Sequence, residues 1–183
     1  MYSPNFIIAL LAIAGTAIAA PAPEASAPGV FHPIETNGGL TKITGPDGLY
    51  ISHNSTHMSY HGLSEDAATG KRSDDAVLAR ADGNCDVVCI AGQFTSSSAI
   101  SSAQAGLRSA FASNPNWKGN IFYLANSVYA FGCDYGSGQN TPASQYDVDV
   151  SCMQSACGGS QAAYNRRRTW KATYGREIGG FSC

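Results

Sequence analysis

The sequence predicts an α+β fold, a small disulfide-stabilised two-layer sandwich with two helices on a mostly antiparallel sheet. Segments rich in aromatic and β-branched residues alternate with two stretches of helical periodicity. Six cysteines, an even number, follow an apolar N-terminal run of the kind that directs export, which favours disulfides. The cysteine-containing region, of roughly 110 residues, can bury only a modest core, so disulfides are expected to supply the missing stability.

A strand and a helix are predicted first in this region. The run CDVVCIAG, residues 85–92, is apolar and short, as expected of a buried strand. Ser96-Ser97-Ser98 can cap the following helix, which Asn114-Pro115 should end. Apolar residues at the spacings of one helix face support it: Ile100, Ala103, Leu107, Ala110 and Phe111.

Strands and a second helix are predicted to follow. Residues 120–135, NIFYLANSVYAFGCDY, should form one long strand or a hairpin that turns at Asn126-Ser127. Ser144 and Asp147 have the spacing of a capping box, and Gly158-Gly159 can close the helix that begins there. That helix should present one face containing Tyr146, Val150, Met153 and Cys157. Residues 169–175, TWKATYG, are expected to be the last strand.

The N-terminal part divides into a signal and a leader. Residues 1–19 combine a short apolar run with Ala17-Ile18-Ala19, a pattern that a signal peptidase accepts, so the protein is expected to be secreted and extracellular. No later segment is expected to insert stably into a membrane. Residues 20–72 are interpreted as a propeptide that begins flexibly and ends at the dibasic pair Lys71-Arg72, a processing site for a kexin-type protease. Residues 73–183 would then be the mature cysteine-rich domain.

Three of the four histidines lie in the leader, at His53, His57 and His61. Spacings of four residues place them on one face of a helix or a strand, which could hold a metal ion. The neighbouring Asn54-Ser55-Thr56 is a glycosylation sequon, and the surrounding glycines argue against a rigid helix. We expect a solvated propeptide strand here and no metal site or cofactor in the mature protein. A metal-binding protein that uses this cluster is the competing hypothesis.

The cysteines admit two interpretations. Disulfides are favoured by the export signal, although six cysteines allow about 15 pairings and the sequence does not select one. The spacings Cys85-x3-Cys89 and Cys152-x4-Cys157 come near those of a zinc site, which is the alternative. The six residues are Cys85, Cys89, Cys133, Cys152, Cys157 and Cys183.

Residues 73–183 offer little catalytic chemistry. They contain no histidine, which removes the usual general base, and paired cysteines would leave no thiolate. The carboxylates that remain suggest a secreted hydrolase, a carbohydrase or ribonuclease-like protein using Asp134 or Glu177, as an alternative function. For Asp134 we expect instead the role of capping the turn at the start of a glycine-rich loop.

A basic segment, NRRRTWKATYGR at residues 165–176, is the best candidate contact surface. Arginine beside stacking aromatics suits phosphates, single-stranded RNA or an acidic partner. Residues 73–183 nevertheless hold eight basic and eight acidic residues, so global attraction to nucleic acid is not indicated. The predicted binding residues are Arg166, Arg167, Arg168, Trp170, Lys171 and Arg176.

The layout of signal, leader with GLYISHN, Lys-Arg pair and compact cysteine domain resembles the small cysteine-rich secreted proteins of filamentous fungi. Within that group, VYAFGCDYGSGQ, the Cys152 to Gly158 helix and WKATYGREIGGFSC resemble effector-like proteins, and the layout alone is similar to killer toxins with α/β sandwiches. The resemblance implies an extracellular role in virulence or antagonism, exerted by binding a host or competitor macromolecule without turnover. We expect the protein to be a monomer. It supplies no catalytic residues.

Overall fold

The computed structural model of the 183-residue chain describes residues 31–37, 40–43, 45–52, 57–63 and 85–183. The predicted signal segment 1–19, the predicted glycosylation site Asn54, His53 and the predicted processing site Lys71-Arg72 lie outside the described residues. The helices are α1 (Ser97–Ser113) and α2 (Ala143–Cys157). The strands are β1 (Phe31–Asn37), β2 (Leu40–Ile43), β3 (Gly48–Ser52), β4 (His57–Tyr60), β5 (Val87–Phe94), β6 (Asn116–Trp117), β7 (Asn120–Ala125), β8 (Val128–Asp134), β9 (Gln139–Asn140), β10 (Gln161–Arg167) and β11 (Ala172–Ile178).

Nine of these strands form one sheet, in the order β2-β1-β4-β3-β7-β8-β11-β10-β5. Every described pairing in it is antiparallel. Both helices lie on one face of the sheet, where they share a hydrophobic core with inward-facing strand residues. The predicted fold class is therefore confirmed. We call the core between the helices and the sheet the helix-side core; its largest members are Ile100, Leu107, Phe111, Trp117, Ile121, Tyr123, Tyr146 and Tyr174.

The opposite face of the sheet carries a second core, made mainly of aromatic rings. Because side chains alternate along a strand, β7 and β8 supply one set of residues to the helix-side core and the other set to this face. The sheet curls so far on this side that Thr41 of β2 forms a bridge with Phe181, beyond the end of β11. We call this cluster the aromatic core; its members are Ile43, Tyr50, Met58, Tyr60, Phe122, Leu124, Tyr129, Phe131, Cys133 and Phe181.

The leader strands are integral to the sheet, which differs from the expectation of a solvated propeptide strand. In β3, Tyr50 points into the aromatic core, while Leu49 and Ile51 pack against the helix-side core. Both edges of the strand are hydrogen-bonded, to β4 and to β7, and each of its faces packs against one of the two cores. Its alternation of apolar residues on both faces is what a central strand requires.

Helix α1 and the hairpin form as predicted. The Ser96 hydroxyl accepts a hydrogen bond from the backbone N–H of Ala99 at 3.2 Å, and the helix ends at Asn114. The β7–β8 hairpin turns at Asn126 and Ser127, whose φ angles of 50° and 64° are both positive. A two-residue turn of this type matches the right-handed twist of the strands it joins.

Helix α2 begins without the predicted capping box. Pro142 occupies the N-cap position, and its carbonyl accepts hydrogen bonds from the backbone N–H groups of Gln145 and Tyr146. Asp147 instead pairs with Arg108 of α1, with both carboxylate oxygens within 3.1 Å of the guanidinium. The Asp147 carboxylate, for which the spacing predicts a capping role, therefore forms an ion pair between the two helices instead.

The two ends of the described 85–183 region also differ from the predictions. β5 is a strand, but it lies at the edge of the sheet and is not buried. The last strand begins only at Ala172, because Arg168–Trp170 form a 3-10 turn and Lys171 takes a φ of 52°. The sequence does not predict β10, because QAAYNRR contains no β-branched residue. Two of its buried residues, Asn165 and Arg167, are polar, so the segment has no apolar alternation.

All six cysteines are paired in disulfides: Cys85–Cys152, Cys89–Cys157 and Cys133–Cys183. Cys89–Cys157 joins the edge strand β5 to α2, Cys85–Cys152 joins the residues just before β5 to the same helix, and Cys133–Cys183 joins β8 to the last residue of the sequence. No thiolate remains to bind zinc, so the cysteine zinc site is excluded. Three disulfides are typical of proteins from oxidising, extracellular compartments.

Candidate functional site

A groove of about 550 Å³ lies between α1 and the end of the leader strands. Leu49, Ile51, Trp117 and Ile121 supply apolar surface, and α1 forms one wall. Residues 61–63 line the groove from the leader side, where Leu63 is 64% exposed. The polar side chains that line it are those of Ser109, Ser113, Asn114, Asn116 and His61, and none of them is a carboxylate.

The position of α1 along this groove depends on a glycine. Gly106 lies directly over the Tyr123 ring, and a Cβ atom at this position would overlap that ring. On the other side, the backbone of β3 holds the 61–63 segment: the Leu49 N–H donates to the Gly62 carbonyl at 2.9 Å, and the His61 N–H donates to the Leu49 carbonyl at 2.8 Å. The groove is therefore shaped jointly by the leader and by the cysteine-rich region.

His61 is the member of the predicted histidine cluster whose side chain the structure describes. Its Nε2 atom lies 2.7 Å from the hydroxyl of Ser59, which is buried. Because Ser59 is only 3% exposed, the contact is suited to orienting the imidazole at the groove and not to nucleophilic attack on a bound molecule. Within the described ranges no three His, Cys, Asp or Glu residues are grouped closely enough to hold a metal ion. The three-histidine site itself stays a prediction, since His53 and the His57 side chain lie outside the described residues.

The structure does not bring the predicted basic residues onto one surface. Arg167 and Arg176 are buried, and both serve internal contacts. The Arg167 Nε donates to Asp149 at 2.7 Å, and its guanidinium lies 5.3 Å from the centre of the Trp170 ring. Arg176 donates to the backbone carbonyls of Gln161 and Gly158, and burial lowers its pKa.

The remaining basic residues lie closer to solvent. Arg166 and Arg168 both donate to Asp86 at 2.8 Å, and these hydrogen bonds lower the pKa of that carboxyl. The Arg168 side chain is 76% exposed, and Lys171 is exposed nearby in the chain. The basic surface that is open to a partner is thus reduced to Arg168 and Lys171, with half-buried Arg166 and Trp170.

Asp134 and Glu177 are not placed as a catalytic pair. In the β8–β11 ladder Asp134 is opposite Ala172, whereas Glu177 is opposite Tyr129. These positions are five residues apart along β8, roughly 17 Å, and point to opposite faces of the sheet. Paired glycosidase carboxylates lie about 5–9.5 Å apart.

Asp134 has a structural contact instead. Its Oδ1 atom accepts hydrogen bonds from the Gly136 N–H and from the Gln139 amide, each at 2.8 Å. Burial would raise the pKa of this carboxyl, but hydrogen bonds led by that of Gln139 outweigh it, so the pKa is lowered. Asp134 therefore holds the start of the glycine-rich loop.

Glu177 makes the stability of the fold depend on pH. Burial raises its pKa from 4.5 to about 7, although a hydrogen bond from the Ser182 backbone opposes the shift. Between these values the folded protein keeps a proton that the unfolded chain has lost, so stability should fall as pH rises from 4.5 to about 7 and then level off. Burial also raises the pKa of Asp149, which adds to the decline. We expect Glu177→Gln to reduce the decline, measured as the thermal midpoint across the same pH range. Asp147→Asn, at a half-exposed carboxyl, should keep the decline; an unchanged profile in Glu177→Gln would contradict the assignment.

Sequence reasoning missed the groove because the leader was assigned to a separate unit. The pattern that indicates a buried leader strand is GLYIS, where Leu49 and Ile51 alternate with Tyr50 and make both faces of the strand apolar. Such a strand needs cover on two sides, which a solvated propeptide does not offer.

No helix in the described part of the chain is long and apolar enough to cross a membrane. No protein-family model matches this chain, and neither does a curated protein or a solved structure.

Proposed function

We propose that this chain is a secreted, disulfide-stabilised binding protein, effector-like or toxin-like, that acts on a host or competitor macromolecule by contact and without turnover. The observation that supports it is the groove beside α1, whose lining contains apolar and uncharged polar side chains and one imidazole but no carboxylate. Its volume of about 550 Å³ is within the usual range for binding sites. The segment that fits such a lining is an extended, apolar stretch of the partner.

The acidic side chains of residues 85–183 also favour binding over hydrolysis. Asp86, Asp147 and Asp149 are in ion pairs, Asp134 holds the glycine-rich loop, and Glu177 is buried in the sheet. A carboxylate hydrolase needs two such groups facing one cleft. The exposed cations Arg168 and Lys171 are proposed as a second, electrostatic contact with the partner, separate from the groove lining.

A matched pair of substitutions on α1 tests the groove. Ala110 lines it, whereas Ala112 is exposed and does not. Peptides selected on the wild-type protein from a random phage-displayed library should be rich in apolar residues. Ala110→Phe should weaken their binding at least tenfold in fluorescence anisotropy because the ring fills the groove, and Ala112→Phe should stay within about twofold.

The same experiment has outcomes that contradict the proposal. Failure to select any peptide, or equal binding by both variants, would remove the groove as the site of contact. Turnover of labelled RNA or polysaccharide by the purified wild-type protein would replace the binding function with hydrolysis.

A further inference from the structure

We infer that strands β1 to β4 remain part of the working protein as a permanent section of its sheet and core, so that the segment 31–63 that carries them is kept. If the chain is cut at the predicted site after Arg72, the product is then a protein of two chains held together without a covalent bond. This inference is independent of what the groove binds.

The first support is the hydrogen-bonded ladder between β3 and β7. It runs in antiparallel register from the pair Gly48–Leu124 to the pair Ile51–Ile121. β7 is thereby a central strand, flanked by β3 and β8. Removal of the leader would leave residues 121–124 of β7 without their partners on this edge, and exposed apolar edges are prone to aggregation.

The second support is the sharing of the aromatic core. Tyr50 and Met58 are fully buried, and Ile43 and Tyr60 are each 3% exposed. The Tyr50 ring stacks on Phe122, with 4.9 Å between the ring centres. The surface of the 85–183 region that faces these side chains consists of Phe122, Leu124, Tyr129, Phe131 and Phe181, an apolar patch that a lone soluble domain rarely exposes.

The third support is that the leader is fastened at separate places. Thr41 and Phe181 exchange two backbone hydrogen bonds, at 2.6 and 2.9 Å. The Tyr129 hydroxyl donates to the Ile43 carbonyl at 3.3 Å, and the Asn126 N–H donates to the Asp47 carboxylate at 2.9 Å. The contacts reach the chain terminus, strand β8 and the hairpin turn, so the segment cannot leave by opening one of them.

The disulfides determine how a cut chain would be held together. All three bonds join cysteines of the 85–183 region to one another. Cleavage after Arg72 would therefore leave only the ladder, the shared core and the polar contacts between the two pieces. It also follows that His61 and the leader side of the groove belong to the working protein, contrary to a mature form made of residues 73–183 alone.

The composition of the exported product tests this directly. The full chain, expressed with its own signal and purified from culture medium, should give a native mass that includes residues 31–63. If it has been cut, the two chains should co-elute in equal amounts in native buffer and separate only under denaturing conditions. Recovery of a folded product with three disulfides that lacks residues 31–63 would overturn the inference.

Two substitutions in β2 give a second measurement that does not depend on cleavage. Ile43 is 3% exposed, whereas Leu40, on the same strand, is 39% exposed. Ile43→Asp should reduce the yield of folded exported protein more than tenfold, because it places a charge in the shared core, and Leu40→Asp should stay within about twofold. Equal yields of the two variants would show that the leader is dispensable.

Discussion

Replacing Asp149 by alanine should lower the free energy of unfolding by about 3–5 kcal/mol, because it leaves a buried guanidinium without its counter-charge. Asp149 is fully buried in α2, and it accepts hydrogen bonds from Arg167 at 2.7 Å and from Asn165 at 2.5 Å. Equilibrium unfolding in guanidinium chloride, followed by circular dichroism, measures the loss. The pair joins α2 to β10, so its effect should be global and not limited to the helix.

Asp147→Ala is the matched control, two residues earlier in the same helix. Its ion pair with Arg108 is half-exposed, with side-chain exposures of 40% and 35%, and such pairs contribute about 0–1 kcal/mol. If both alanine variants lost the same amount of stability, the Arg167–Asp149 pair would not be the buried contact described above.

Replacing Tyr50 by alanine should lower the free energy of unfolding of the full chain by about 3–5 kcal/mol. The substitution empties the centre of the aromatic core, where the ring packs against Phe122 and Tyr60, with ring-centre distances of 4.9 and 5.2 Å. The same denaturation experiment measures it. Although Tyr50 lies in the predicted propeptide, its loss should destabilise the cysteine-rich region, because the two share this core.

Tyr135→Ala provides the comparison for this substitution. Tyr135 is 54% exposed, and surface substitutions of this kind usually change stability by less than about 0.5 kcal/mol. Should Tyr50→Ala leave the unfolding midpoint of the full chain unchanged, the leader would contribute nothing to the core of the folded protein.

Which arginines of the basic segment are buried cannot be predicted from the segment alone. The segment NRRRTWKATYGR is polar in sequence and was interpreted as a surface. In the structure, alternation along β10 turns Arg167 and Asn165 inward to meet Asp149, and leaves Arg166 on the side of Asp86. The inward direction is set by a carboxylate on a distant helix, which the order of residues in the segment does not reveal.

The sequence by itself determined the local elements whose causes are local. Helix α1 follows from its serine cap, its apolar stripe and the Asn114-Pro115 stop, and the β7–β8 hairpin follows from its turn at Asn126-Ser127. The α+β class and the presence of disulfides follow from patterns that do not require knowledge of contacts.

Only the tertiary structure decided which cysteines pair, which acidic and basic residues neutralise one another, and that the leader completes the sheet. Each of these outcomes depends on residues far apart in the chain: Tyr50 meets Phe122, Asp149 meets Arg167, and Cys133 meets Cys183. Their free energies arise from burial and charge pairing between elements, which exist only once the elements have packed.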